Sequence, residues 1–276
     1  MGNFNPIERS IITKFRKTIW QRFIHGVTDY DLVQTGDKIA VCISGGKDSM
    51  LLAKCMQELK RHGNRPFDVE FIVMNPGYSV ENEKKIIENA QKLDIPIQMF
   101  PSQIFTAIEN LDNSACYLCA RMRRGYLYEY AKKLGCNKIA LGHHFDDAVE
   151  TILLSMLYGA EYKTMMPKLK STSHPGMQLI RPLYLVREED IVAWAKYNGL
   201  TFLRCACRIT KNCESNGSKR VEIKNLLQEL KKVNPMADAN IFRSIHSVNL
   251  ETVIGYRKGE ERHSFLDAFD GDKKTD

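Results

Sequence analysis

No run of the chain approaches the ~18–20 consecutive apolar residues of a membrane span, so no membrane association is expected. Between Met1 and Gly26, Arg9, Lys14, Arg16, Lys17 and Arg22 break up any apolar core of a secretory signal. A cytoplasmic protein is the expectation. The eight cysteines are then not expected to form a disulfide framework, and metal binding or catalysis is what their spacing has to explain. Acidic residues are in mild deficit, with 33 Asp and Glu against 40 Lys and Arg and a net charge of +7. Such an excess permits an anionic partner, nucleic acid included, without requiring one. No fixed solenoid period is present.

Hydrophobic residues make up 43% of 276 residues, enough for a sizeable core in one large domain or two modest ones. Ile7, Ile11, Ile12, Phe15, Ile19 and Phe23 recur at mostly helical spacing and predict an amphipathic helix over 6–26. Beyond it, short apolar runs alternate with helical periods. Strands are expected over 38–43, 68–74, 96–100 and 138–142, and helices over 49–62, 81–93, a stretch through 125–135, and 146–158. Single helices between strands argue for α/β architecture, a parallel sheet with helices on both faces. The stretch 159–176 reads as a loop, 188–199 and 219–233 as helices, and the charged tail after Arg257 as disordered. The expected organisation is an N-terminal helical segment (1–30), a main domain (31–204), a cysteine-containing helical segment (205–256) and the tail (257–276).

The strand KIAVCI runs directly into SGGKDS, Ser44 to Ser49, which opens a helix. An open parallel sheet places its ligand at such a strand end. Gly45 and Gly46 let the backbone approach phosphate oxygens, the helix start presents N–H groups, and Lys47 adds a full charge. Ser44 and Ser49 carry hydroxyl donors. The spacing fits neither a Walker loop nor the GxGxxG of dinucleotide sites. A second polar cluster, LGHHFDDAVET, follows the strand at 138–142. Its Asp146 and Asp147 suit Mg²⁺ held through water beside phosphates, or a base; the bland alternative is that Asp146 caps a helix.

Cys116 and Cys119 form a CxxC, and Cys205 and Cys207 follow in RCACR. Cys42, Cys55 and Cys136 lie on apolar stretches and read as buried small hydrophobes. Two metal readings stand open. Four sulfurs close a tetrahedral zinc site, although C-x-C is a tight bite for zinc. Alternatively, three cysteines ligate a 4Fe-4S cluster and leave one iron open to a sulfide or a substrate atom.

SGGKDS after an apolar strand resembles the PP-loop ATP pyrophosphatases. Together with DYDLVQTGDKIAVCISGGKDS, LGHHFDDAVET, YGAEYKTMMPKL, IRPLYLVREEDI and the internal CxxC, the chain from about Ile12 to Val248 is similar to the tRNA 2-thiocytidine biosynthesis family. That resemblance implies a Rossmann-like, adenine nucleotide alpha hydrolase-like fold. It implies ATP, with Mg²⁺, at Ser44, Gly45, Gly46, Lys47, Asp48 and Ser49, with Val73 and Met74 near the adenine and Gly142 and His143 completing the pocket. Lys47, Asp146 and Asp147 are the expected catalytic residues. Cys116, Cys119 and Cys205 are the implied ligands of a 4Fe-4S cluster. The chain departs from the family pattern in placing Cys207 one residue after Cys205, and in a longer stretch over 208–218; Cys207 is the alternative third ligand. The implied activity is ATP-dependent thiolation of an anticodon-loop cytidine through an adenylated base. The implied partners are tRNA, a cysteine desulfurase as sulfur donor, and a second copy in a homodimer. Arg121, Arg123, Arg124, Lys163, Lys168 and Lys170 are candidate phosphate contacts.

Overall fold

A computed structural model describes residues 5–102, 115–203 and 219–269, with the backbone alone at 115–121 and 268. The N-terminal apolar stripe does not form one helix. It divides into α1 (Pro6–Ile12), a π-helical turn (Arg16–Trp20) and α2 (Gln21–Asp29). Ile11, Phe15, Ile19, Phe23 and Val27 are all buried, and they repeat every fourth residue. A spacing of four overshoots the 3.6-residue turn of an α-helix. The wider π turn takes up the excess and keeps the stripe on one face. α1 starts where the Asn5 side chain accepts from the Ile7 N–H at 3.0 Å.

The sheet is assembled from β1 (Lys38–Ile43), then α3 (Lys47–His62), β2 (Asp68–Asn75), α4 (Val80–Lys92), β3 (Ile97–Pro101), α5 (Ala115–Lys133), β4 (Lys138–Ala140), α6 (Phe145–Gly159), β5 (Lys168–Lys170), β6 (Gln178–Ile180) and α7 (Glu188–Tyr197). The strand order is β3-β2-β1-β4-β6-β5. All neighbours are parallel except β5, which runs antiparallel to β6 at the edge. The parallel Rossmann-like sheet is therefore as expected over β1 to β4, extended by a parallel strand that was not expected, β6, and with one antiparallel addition. The stretch expected as a loop over 159–176 supplies that addition. Its three residues, Lys168–Lys170, carry too little pattern to announce a strand, and the pairing with β6 makes it one. Lysines at both its ends suit an edge.

β1 is central and apolar without interruption because both its faces are covered. Ile39, Val41 and Ile43 pack towards the N-terminal helices, α3, α4 and α7. Ala40 and Cys42 pack on the other side with Tyr128 and Ala131 of α5. At the amino ends of β1 and β4, buried Lys138 pairs with Asp37 at 2.6 Å and donates to the Leu32 carbonyl at 3.0 Å.

α8 (Lys219–Val233) and α9 (Ala237–Ser244) lie against α6 through Ile223, Leu227, Phe242, Phe145, Val149 and Leu153. The disorder expected after Arg257 is not what the chain does up to Phe269. β7 (Gly255–Lys258) and β8 (Glu261–Ser264) form an antiparallel hairpin, followed by α10 (Phe265–Phe269). Composition is charged there, but backbone pairing and the stacking of Tyr256 on His263, 4.5 Å between centroids, order the hairpin. The last seven residues, 270–276, lie outside the described residues. Among the described residues no helix is long and apolar enough to cross a membrane.

Candidate active site

β1 and β4 are adjacent, and the chain moves outwards from β1 in one direction and from β4 in the other. That is the switch point at which an open sheet leaves a crevice beyond its carboxyl ends. The loop after β1 is closed by its own serines. The Ser44 N–H donates to Ser49 Oγ at 3.1 Å, and Ser49 Oγ donates to the Gly46 carbonyl at 3.0 Å. Gly45 has φ +84, and a Cβ there would stand 2.7 Å from Ile86 Cγ1. Gly46 is the N-cap of α3, so the helix begins at Lys47 with its N-terminus aimed out of the sheet. Gly142, beyond β4, approaches this turn closely. A Cβ there would lie 3.0 Å from the Asp48 carbonyl carbon and the Ser49 nitrogen. A side chain at 142 would push the two strand-end motifs apart by a few tenths of an ångström.

Between them opens a cavity of about 770 Å³. The loop contributes Ser44, Asp48 and Ser49. Met74 lines it at the end of β2 and Tyr78 beyond that strand, Gly142, His143 and His144 beyond β4, and Asp147 and Glu150 on α6. Val73, fully buried opposite Ile43 in the sheet, is not among the lining residues, whereas its neighbour Met74 is. Five cationic side chains face the same space: Arg123, Arg124, Arg181, Arg220 and Lys224.

Lys47 Nζ lies 2.9 Å from Glu188 Oε1 and 3.1 Å from Asp48 Oδ1. Burial works against the Lys47 cation, but these two carboxylates outweigh it and raise its pKa. Burial likewise pushes Glu188 up, and the hydrogen bond from Lys47 with the charges of Lys47 and Lys224 reverses this, holding Glu188 at about 2. The expected catalytic aspartates prove to have structural work. Asp146 Oδ2 accepts from the Glu188 N–H at 2.7 Å and so holds the start of α7, not of its own helix. Asp147 Oδ2 accepts from the His144 N–H at 3.0 Å and caps α6, while also lining the cavity.

His143 is driven down to about 4 by burial and by the Arg181 charge, so its imidazole is neutral at pH 7. Its Nδ1 is buried without a hydrogen-bond partner among the described residues. Burial lowers Arg181 to about 10; its guanidinium donates to the Met166 carbonyl. Glu150 is raised by burial despite Lys224 at 3.6 Å and Arg220 at 3.5 Å. Glu188, Glu150, Arg181, Arg220 and Lys224 were not singled out in the sequence. Glu150 had a signal, its place one helical turn after Asp147. Arg181 and Glu188 lie inside IRPLYLVREEDI, but nothing in the spacing of that stretch points to the loop at Ser44.

Cys42, Cys55 and Cys136 are buried thiols, as expected, and burial raises the pKa of each. Cys116 and Cys119 fall in the first two turns of α5, and their side chains lie outside what is described. Cys205 and Cys207 lie outside the described residues. The flanks of their stretch are described. The Leu203 N–H donates to the Gly45 carbonyl at 3.2 Å, and Arg220 and Lys224 stand on the cavity wall. The described residues on either side of 204–218 thus stand at the loop after β1 and on the cavity wall. Among the described residues no group of three or more His, Cys, Asp or Glu is arranged to hold a metal ion.

Residues 13–244 match the PP-loop domain family. The chain is 32% identical over 255 residues to the tRNA-cytidine(32) 2-sulfurtransferase of Geotalea uraniireducens, covering 91% of this chain and 98% of that protein. It is 34% identical over 239 residues to the protein of the same name from Herminiimonas arsenicoxydans, covering 85% and 73%. In structure it resembles the U34-tRNA thiolase of Methanococcus maripaludis, solved with its 4Fe-4S cluster, with a TM-score of 0.65 at 20% identity over 87% of this chain and 84% of that one. At that identity the likeness is one of fold.

Proposed function

The chain belongs to the PP-loop family and, within it, to the tRNA-cytidine 2-sulfurtransferases, and from that premise we propose that it uses ATP to replace O2 of an anticodon-loop cytidine in tRNA by sulfur. The observation that carries this reading is the convergence at one crevice. The loop Ser44–Ser49 and a wall of five cationic side chains meet there, and the described flanks of the stretch bearing Cys205 and Cys207 stand at that loop and on that wall.

In this reading the α3 N-terminus and Lys47 hold the β- and γ-phosphates of ATP. Met74 lies beside the adenine. The cytidine O2 attacks the α-phosphate; the O2–P bond forms as the bond to pyrophosphate breaks. The adenylated base then has a good leaving group at C2, and sulfide displaces AMP, the C2–S bond forming as the C2–O bond breaks. The cationic wall neutralises the phosphates of ATP and of the RNA strand that presents the base. Mg²⁺ fits the same place with ATP bound, since it keeps most of its waters and needs one or two carboxylates beside phosphate oxygens; Asp147 lines the cavity for that role. Cys116, Cys119 and Cys205, with Cys207 as the alternative, would hold a 4Fe-4S cluster, which when bound supplies the sulfur that reaches the base. A cysteine desulfurase, with a two-electron reductant to bring its persulfide sulfur to sulfide, would renew that sulfur, and the chain would act as a homodimer.

The test is to incubate the protein anaerobically with bulk tRNA, ATP and a sulfur source, then to analyse the nucleosides by mass spectrometry. 2-Thiocytidine is expected, and Cys116→Ala, Cys119→Ala and Cys205→Ala should each abolish it. A colourless protein with stoichiometric zinc and no iron would sink the cluster. Activity retained in Cys205→Ala and lost in Cys207→Ala would move the third ligand to Cys207.

A further inference from the structure

Glu188 divides its carboxylate between two lysines from different parts of the fold. Oε1 lies 2.9 Å from Lys47 in the phosphate loop, and Oε2 lies 3.2 Å from Lys224 on α8. The residue is fixed from behind by Asp146, which accepts its backbone N–H at 2.7 Å. As the first residue of α7 it also has that helix's positive end at its own carboxylate. Its side chain is 31% exposed and stands on the cavity wall, so a ligand in the cavity reaches the carboxylate of the pair directly, while Lys47, 25% exposed, stands behind it and is not itself a lining residue. A pair this accessible adds little to folding. It does, however, put a carboxylate on the ammonium that a phosphate in this loop would require.

We infer that Glu188 is a positioning residue that competes with the phosphates of the nucleotide for Lys47. The inference rests on the reading of the Ser44–Ser49 loop as an ATP site. A phosphate oxygen arriving at Lys47 displaces Glu188 Oε1, and the ammonium exchanges one anionic partner for another without crossing the cavity. Lys224 retains Oε2 during the exchange and offsets the negative charge that Glu188 would otherwise turn towards the phosphates. Departure of pyrophosphate reverses the exchange, with Glu188 reclaiming Lys47. Glu188 therefore weakens phosphate binding and favours product release, while its reach from α7 keeps the flexible lysine near the place where it is needed.

Calorimetric titration of the full chain with ATP and, separately, with inorganic pyrophosphate tests this. Glu188→Gln keeps the shape and removes the charge, and should tighten both ligands roughly three- to fivefold, the upper part of the scale of one partly exposed ion pair. The gain should depend on Lys47. In a Lys47→Gln background the same change should move the affinity by less than about twofold. Glu188→Asp, whose shorter side chain pulls back from Lys47, should show part of the gain and carries the test if Glu188→Gln does not fold. Unchanged or weaker binding in a folded Glu188 variant overturns the inference, as does an equal gain without Lys47. Failure of the parent chain to bind either ligand would instead overturn the ATP reading of the loop, and this inference with it.

Discussion

Gly142 illustrates how one missing side chain sets the site. A Cβ there would meet main-chain atoms of Asp48 and Ser49 at 3.0 Å, and backbone cannot swing aside as a side chain can. Gly142→Ala should push the start of α3 away from β4 and weaken ATP binding by roughly tenfold or more, with a modest loss of stability of about 1–3 kcal/mol, read by calorimetry and thermal melting. His143 makes a prediction of a different kind. Its pKa falls from 6.5 to about 4 because burial and the Arg181 charge oppose its cation. The fold thus prefers the neutral ring, so this stability is present above pH 6.5 and is lost as pH falls towards 4. The parent chain should lose melting temperature over that window more steeply than His143→Gln; equal slopes would show that His143 is not the group responsible. The glycines and histidines were legible in the sequence as clusters. Their reasons were not, since the 142–48 approach joins residues almost a hundred positions apart.

At the scale of elements, the two ends of the central strands do different work. The carboxyl ends of β1 and β4 carry the site, while the amino ends are tied by the buried pair of Lys138 and Asp37 at 2.6 Å. Removing one partner of such a pair strands the other charge in the interior. Lys138→Met should therefore cost about 3 kcal/mol in urea unfolding, while the protein that remains folded should bind ATP as before. A large change in affinity with little change in stability would invert this division. The long elements were legible: the helix expected over 219–233 is α8 as formed, and the strands over 38–43 and 68–74 are β1 and β2 to within a residue. The helices α9 and α10 escaped, and so did the strands β5, β6 and the C-terminal hairpin, of three or four residues each. Those strands exist through their pairing partners, and no local period announces them.

For the whole molecule, the net charge of +7 is spread too evenly along the chain to identify a partner. The fold concentrates part of it at the crevice, where α5, α8 and the turn after β6 supply the cationic wall. If that wall holds RNA, tRNA affinity should fall steeply with salt, and Arg124→Gln, at an exposed position on the rim, should lower the slope of log K against log salt by about 0.7. An unchanged slope would remove Arg124 from the RNA contacts. The sequence by itself determined the strands β1 to β4, the phosphate loop and the second strand-end cluster, because each is written within a dozen contiguous residues whose period or chemistry is local. The tertiary structure alone decided that Asp146 serves α7, that Lys47 is shared with Glu188 and that Lys224 closes the charge network. Those contacts join positions from 36 to 141 apart, and charged side chains on separate helices leave no periodic trace of which partner they will meet.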